Sequence, residues 1–476
     1  MKSIMNKNQI PFYLTVISIF ILIISPNLLS DGMFMDGVLY AIVSNNLANS
    51  QGTLWHLNMQ PVDPVFYAHP PLGFLMQSVL YKFFGNSILI ERVYSILTFI
   101  ITAFIIVKIW NSIVLKKGNN RSWLPLGFWF IIPLVSWAAS NNMLENTMMI
   151  FTSLSVLCII LSLKSYHFLY LFLAGISLFA AFMTKGLVGL FPLSLIFWLF
   201  VFSKQVTFKR FVVDLFFTTA VMVLPFIILI IVSQDAKEFF SIYFQTQVFK
   251  SIVSVQTVAN RFYIVGQLLK ELIIVLSLLL ILFLVTRKRT SYTPINKWTM
   301  IFLFLGLSGI LPIMITLKQR GFYMLPSFPF LAIAAALFVD NGVNYLINKI
   351  NYTHIRFRVF KYVSIFLFVT GFVLIGLNVN RIGRDKNKIE DVYAMMKIVP
   401  PHTTISLSTE LHTDWSLHAY FGRYADIGLD SKNLNHKFLI IKKGDNFPLS
   451  KTHSRIGINL NEYELYENQK ATTQAD

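Results

Sequence analysis

The chain has 476 residues, of which 55% are hydrophobic and 13% charged, with a mean hydropathy of +0.63. Soluble domains carry about a quarter charged residues, so this composition excludes a water-soluble globular protein and requires lipid around the apolar surface. The net charge of +18 sits largely in short loops between apolar runs, where Lys and Arg set loop orientation rather than grip nucleic acid. The single cysteine, Cys158, excludes an intrachain disulfide and a cysteine-based metal cluster.

Uniformly apolar runs of this length satisfy their own backbone hydrogen bonds only as helices. Spans are predicted over 10–30, 87–107, 123–140, 146–163, 168–183, 186–202, 211–232, 263–286, 298–316, 322–340 and 360–379. The first follows Lys2 and Lys7, is too long for a signal-peptide core and lacks a small-residue cleavage site. It is read as a retained helix whose N-terminus is cytoplasmic. The positive-inside rule then checks the threading. The connections expected inside carry Lys108, Lys116, Lys117 and Arg121; Lys164; Lys204, Lys209 and Arg210; Arg287, Lys288, Arg289 and Lys297; and Lys349, Arg356, Arg358 and Lys361. The connections expected outside are poorer in Lys and Arg for their length.

Three outer regions are large: 31–86, 233–262 and the tail from Asn380 to Asp476. Segments 36–49 and 72–84 have apolar residues near helical spacing and are expected to lie along the membrane surface. The tail changes composition and reads as a small α/β module. It has helices near 386–398 and 413–421 and strands near 403–408, 423–428 and 437–442. The expected fold is therefore an all-α polytopic membrane protein of about eleven transmembrane helices. Residues 1–379 form the membrane domain, and 380–476 a small C-terminal α/β extracytoplasmic domain.

The residues with chemical character collect in the outer connections. Asp36 opens an apparent surface helix within Asp31-Gly32-Met33-Phe34-Met35-Asp36-Gly37-Val38-Leu39-Tyr40. His69 precedes Pro70-Pro71-Leu72. Glu145 follows Ser140-Asn141-Asn142-Met143-Leu144, and Lys185 sits in Thr184-Lys185-Gly186. Taken singly, each has a plain explanation: a first-turn acid on a helix dipole, a turn histidine, a solvated carboxylate, a snorkelling lysine. The turn Lys318-Gln319-Arg320-Gly321-Phe322-Tyr323 is harder to explain, because it puts two cations on the side that topology disfavours. An anionic partner there accounts for it.

In order, the chain shows Asp-x-x-x-Tyr, Pro-Pro-Leu, an acid in the next outer turn, Thr-Lys-Gly, and Tyr-x-x-Pro-x-x-Pro entering a late span. This constellation resembles the GT-C glycosyltransferases. More narrowly, it is similar to the bacterial branch of the dolichyl-phosphate-mannose protein mannosyltransferase superfamily, which includes the aminoarabinose transferases of lipid A. The resemblance covers roughly residues 10–340. The chain departs from the family pattern in having Gly37 after Asp36, His69 before the prolines where lysine is usual, and Glu145 where aspartate is common.

The resemblance implies a polyprenyl-phosphate sugar donor and an extracytoplasmic acceptor: lipid A, a cell-wall glycan or a protein. Asp36 is the expected general base, with inversion at the anomeric carbon, and Glu145 would orient the acceptor. His69, Lys185, Arg320 and Tyr323 would bind the donor phosphate. No cofactor or nucleotide is expected to be required. A divalent cation is the alternative, for which one carboxylate and one histidine supply too few ligands. In the tail, Trp415, Tyr420 and Tyr424 have the chemistry to stack on sugars, though core packing is the commoner use. The competing class is a flippase of lipid-linked glycans. That class favours inverted repeats and mid-membrane ionisable residues, whereas the candidate groups here fall at span ends.

Overall fold

The computed structural model describes residues 7–60, 62, 65–114, 121–250, 254–287 and 296–470. Lys2, Lys116, Lys117, Lys288 and Arg289, counted above among the inner basic residues, lie outside the described residues. In chain order the helices are α1 (Ile10–Ile24), α2 (Met35–Ala48), α3 (Leu72–Phe84), α4 (Leu89–Ile113), α5 (Trp123–Phe130), α6 (Pro133–Ala139), α7 (Leu144–Ser162), α8 (His167–Lys185), α9 (Ser194–Phe202), α10 (Phe208–Val232), α11 (Gln234–Tyr243), α12 (Tyr263–Thr286), α13 (Lys297–Ile310), α14 (Phe328–Asn348), α15 (Ile355–Leu377), α16 (Lys386–Met395) and α17 (Trp415–Ala425). The strands are β1 (Thr404–Leu407), β2 (Gly428–Asp430), β3 (Phe438–Lys442), β4 (His453–Arg455) and β5 (Tyr463–Asn468).

Among the described residues, nine helical runs are long and apolar enough to cross a membrane. This is a multi-pass membrane protein. Two features separate nine from the eleven expected spans. The expected span 123–140 is broken: Ile132 is extended, with φ −69° and ψ 120°, and Pro133 has no N–H to continue α5 into α6. The expected spans 168–183 and 186–202 fall in one helical run, His167–Phe202. That run nevertheless turns back on itself. A Cβ added to Gly189 would lie 2.9 Å from the Ala181 carbonyl oxygen, whereas eight residues of straight helix span about 12 Å.

The chain divides into two compact units. The first takes the described residues of Met1–Leu28, Ala68–Gly73 and Arg92–Asn378; the second takes Leu29–Tyr67, Phe74–Glu91 and Val379–Asp476. In the first unit, α7 and α14 are mostly buried, while α10 and α12 expose apolar side chains such as Ile231 and Ile273. The burial follows composition. On α7, Ser153, Ser155 and Thr152 are fully buried, and small side chains of this kind let helices approach closely.

The second unit joins much of the 31–86 region to the tail. Its five-stranded sheet has the order β2-β1-β3-β5-β4, with β1 parallel to both β2 and β3 and with antiparallel β3–β5 and β5–β4 pairs. Ile389, Val392 and Met395 of α16 and Leu417, Tyr420 and Phe421 of α17 pack on Ile405, Leu407, Leu429 and Ile440 of the sheet. The predicted helices and the strands near 403–408 and 437–442 are found. The strand expected at 423–428 is displaced to Gly428–Asp430, because α17 runs on through Ala425. Strands β4 and β5 were not anticipated. Both are largely polar and lack an uninterrupted apolar run.

Candidate active site

In the first unit, the acid turn is built by capping. The last carbonyls of α6 have no intrahelical partner, and side chains from α4 and α7 take them. Ser95 Oγ donates to Ala139 O at 2.8 Å, Asn146 Nδ2 to Ala138 O at 2.9 Å, and Arg92 to Ser140 O. Asn142 sits at φ 47°, a left-handed position that Asn tolerates better than most residues, and the chain then enters α7. Glu145 thereby falls in the first turn of α7 with no exposure to solvent.

Lys185 ends α8. Its neighbour Gly186 has φ 78°, and a Cβ there would overlap the Tyr243 hydroxyl, so glycine is required for the turn. The Lys185 Nζ meets Glu145 Oε1 at 2.5 Å, and both side chains are buried, at 5% and 0% exposure. The ammonium also lies 5.5 Å from the Phe322 ring centroid and 5.7 Å from that of Tyr323, within range for cation–π attraction. A buried pair of this kind is held at fixed geometry by its own desolvation, because neither charge can leave without stranding the other.

The turn bearing Lys318, Arg320 and Tyr323 is held by Gln319, which is 1% exposed. Its Oε1 accepts from Ile264 N at 3.0 Å, and its Nε2 donates to Arg261 O at 3.0 Å and Thr316 O at 2.8 Å. Its backbone N–H donates to Thr257 Oγ1 at 2.9 Å. With Gln319 turned inward, Arg320 is exposed and Lys318 half-buried. Lys318 Nζ donates to Gln247 Oε1 at 3.3 Å. Burial, then the charges of Lys185 and Arg320, lower its ammonium from the usual lysine range.

His69 belongs to the same unit. Burial, then the charges of Lys185 and Lys318, hold its imidazole well below the usual 6.5. That direction favours the neutral imidazole, which offers a hydrogen bond rather than a charge. Five of the six expected site residues (His69, Glu145, Lys185, Arg320 and Tyr323) thus lie in the first unit. Of these, His69, Glu145 and Tyr323 interact with Lys185, and Arg320 enters through Lys318.

Asp36 lies in the second unit, in the first turn of α2. The nearby acid Asp31 has a structural use: it accepts from Tyr424 Oη at 2.6 Å, from Tyr393 Oη and from Gly32 N at 2.7 Å. Of the tail aromatics, Tyr420 is 1% exposed and Tyr424 stacks against Tyr393 and Tyr420, so both are packing groups. Trp415 is 39% exposed.

The sequence reading counted Lys318 among the two cations facing an anionic partner but not among the site residues, and it assigned no role to Arg92, Gln319 or Phe322. Arg92, a charge at the head of an apolar span, carried a readable signal. Gln319 carried none, since its role depends on partners about 60 positions away. Two further acids outside the candidate set lie inside helices. Asp214 lies within α10, paired with His167 at 2.8 Å, and Glu271 lies within α12. Among the described residues, no three His, Cys, Asp or Glu side chains gather as a metal site.

Apo ArnT from Cupriavidus metallidurans matches with a TM-score of 0.67 at 14% identity, over 96% of this chain and 97% of that one. The same protein bound to undecaprenyl phosphate matches with a TM-score of 0.65, at the same identity and coverage. The apo oligosaccharyltransferase of Archaeoglobus fulgidus matches more distantly, with a TM-score of 0.51 and 11% identity, over 93% of this chain and 70% of that one. The chain therefore has the ArnT-like GT-C fold that its motifs resemble. Within it, residues 68–231 match the family described as dolichyl-phosphate-mannose-protein mannosyltransferase. No curated protein matches the sequence.

Proposed function

We propose that this protein is an integral-membrane glycosyltransferase that moves a sugar from a polyprenyl-phosphate donor to an extracytoplasmic acceptor. The observation that carries the proposal is the buried Lys185–Glu145 pair, with His69, Lys318, Phe322 and Tyr323 around it and Arg320 beside Lys318. The cations outnumber the acid there, which suits a phosphate at headgroup level. The match of residues 68–231 and the fold shared with ArnT, solved with undecaprenyl phosphate, support the same donor class.

In this reading an acceptor hydroxyl or amine attacks the anomeric carbon while the bond from that carbon to the phosphate oxygen breaks. The electron pair leaves with the phosphate, and the acceptor proton passes to Asp36 as general base. Single displacement inverts the anomeric centre. Arg320 and Lys318 stabilise charge growing on the phosphate, with Lys185 as a fixed point charge and Tyr323 and neutral His69 as hydrogen-bonding groups. Glu145 holds that ammonium in place through Oε1 and would orient the acceptor. The N-terminus is cytoplasmic and the site extracytoplasmic, in the inner membrane. The acceptor is a lipid such as lipid A, a cell-wall glycan or a protein.

The test is binding of labelled undecaprenyl phosphate to the full chain in nanodiscs. Arg320→Gln and Lys185→Gln should each weaken binding about tenfold or more, since a hydrogen bond to a charged group contributes about 1.5–3 kcal/mol. Undiminished affinity in both would contradict the proposal.

A further inference from the structure

An acid within a span whose other exposed side chains, apart from the adjacent Lys270, are mainly Leu, Ile and Val is costly. Glu271 is such an acid, two turns into α12. Its Oε2 accepts from Leu134 N at 2.8 Å. Leu134 is the second residue of α6, the short helix created by the break at Pro133. A helix start at membrane depth has no water to satisfy its N–H groups, and Glu271 supplies one acceptor from a neighbouring span.

The far end of α6 is also held, by Ser95, Asn146 and Arg92, and it runs directly into the turn that delivers Glu145. The side of α6 meets the cation turn: Trp137 stacks on Phe322 at 6.3 Å, with 19° between the rings. The head of α12 meets that same turn, through the bond from Ile264 N to Gln319 Oε1. Helix α12 therefore touches both site-bearing segments, one through Gln319 and the other through Glu271.

We propose that Glu271 is a positioning residue. By capping α6 it fixes the acid turn, and with it the Lys185–Glu145 pair, relative to the cation turn. The functional half of this inference rests on the transferase reading; the structural half does not. The competing role for an intramembrane acid is proton movement, which needs the ionisable group itself. A cap needs only an acceptor oxygen, which Gln also supplies.

The experiment compares full-length wild type, Glu271→Gln and Glu271→Leu in proteoliposomes, with two readouts. The first is hydrogen exchange across 131–139. It should quicken at least fivefold in Glu271→Leu and stay within twofold of wild type in Glu271→Gln. This readout needs no activity and also reports whether the leucine variant is folded elsewhere. The second is sugar transfer from undecaprenyl-phosphate donors. Glu271→Leu should lose at least tenfold in kcat with little change in donor KM, and Glu271→Gln should stay within threefold. Equal loss of transfer in both variants, with exchange still slow in Glu271→Gln, would overturn the proposal in favour of a charge or proton role. Wild-type behaviour of Glu271→Leu in both readouts would overturn it outright. The predicted exchange pattern in a wild type that transfers no sugar would support the cap and contradict the transferase reading.

Discussion

Glu145 and Lys185 are each explicable alone as a helix-end acid and a snorkelling cation, and their pairing changes what each one does. Removing one member of a buried pair strands the other and costs roughly 3–5 kcal/mol. Glu145→Gln should therefore lower Tm sharply. The double variant Glu145→Gln/Lys185→Met should recover much of that loss while binding donor phosphate about tenfold or more weakly than wild type. Calorimetry on wild type, both single variants and the double variant checks this, and additive losses would contradict it. His69 gives a pH prediction. Its imidazole is held below 6.5, so the unfolded chain binds the proton more readily than the native one. Its contribution to stability is fully present above about pH 6.5 and is lost as pH falls below that value. Donor binding should not titrate between pH 6.5 and 8; a His69-dependent step in that window would contradict the assignment. The identities of these residues were legible because each stood out as polar in an apolar context. The pairing was not, because residues 40 positions apart meet only through the packing of α7 on α8.

Helix α6 shows how an element departs from its hydropathy. The run 123–140 is apolar enough to read as one span, and Pro133 was in plain view as the reason it is not. Hydropathy averages over such a break, so the window saw lipid-compatible composition where the backbone needed two helices and side-chain caps. The return of the chain between Ala181 and Gly189 was anticipated from Lys185-Gly186, a polar pair at a glycine that adopts positive φ. Gln319 acts at the same scale. Replacing it with Leu leaves the N–H of Ile264 and the carbonyls of Arg261 and Thr316 without their side-chain partner. Gln319→Leu should therefore lose at least tenfold in donor affinity, although Gln319 is assigned no contact with donor. An unchanged affinity would show that the turn holds itself.

At the scale of the molecule, membrane class and fold were legible from composition, charge alternation and five motifs in order. The grouping of 29–67 and 74–91 with the tail was not. It depends on long-range contacts such as Arg423, which donates to Glu91 Oε1 and Oε2 at 3.2 and 3.0 Å, and on Tyr81 Oη, which donates to Glu91 at 2.7 Å. Among the described residues no three His, Cys, Asp or Glu side chains gather there, and Glu145 Oε1 is taken by Lys185. Chelation with EDTA should leave transfer within twofold, and a loss restored by added Mg2+ would contradict this.

The most direct test of the central claim is sugar transfer by purified protein in proteoliposomes. These would be supplied with a panel of polyprenyl-phosphate sugars and native envelope extract, and wild type would be compared with folded Asp36→Asn. We expect transfer by wild type and its collapse in the variant. Equal transfer by both would remove Asp36 from the chemistry. No transfer from any donor, together with movement of lipid-linked sugar between leaflets, would contradict the transferase account and identify a flippase.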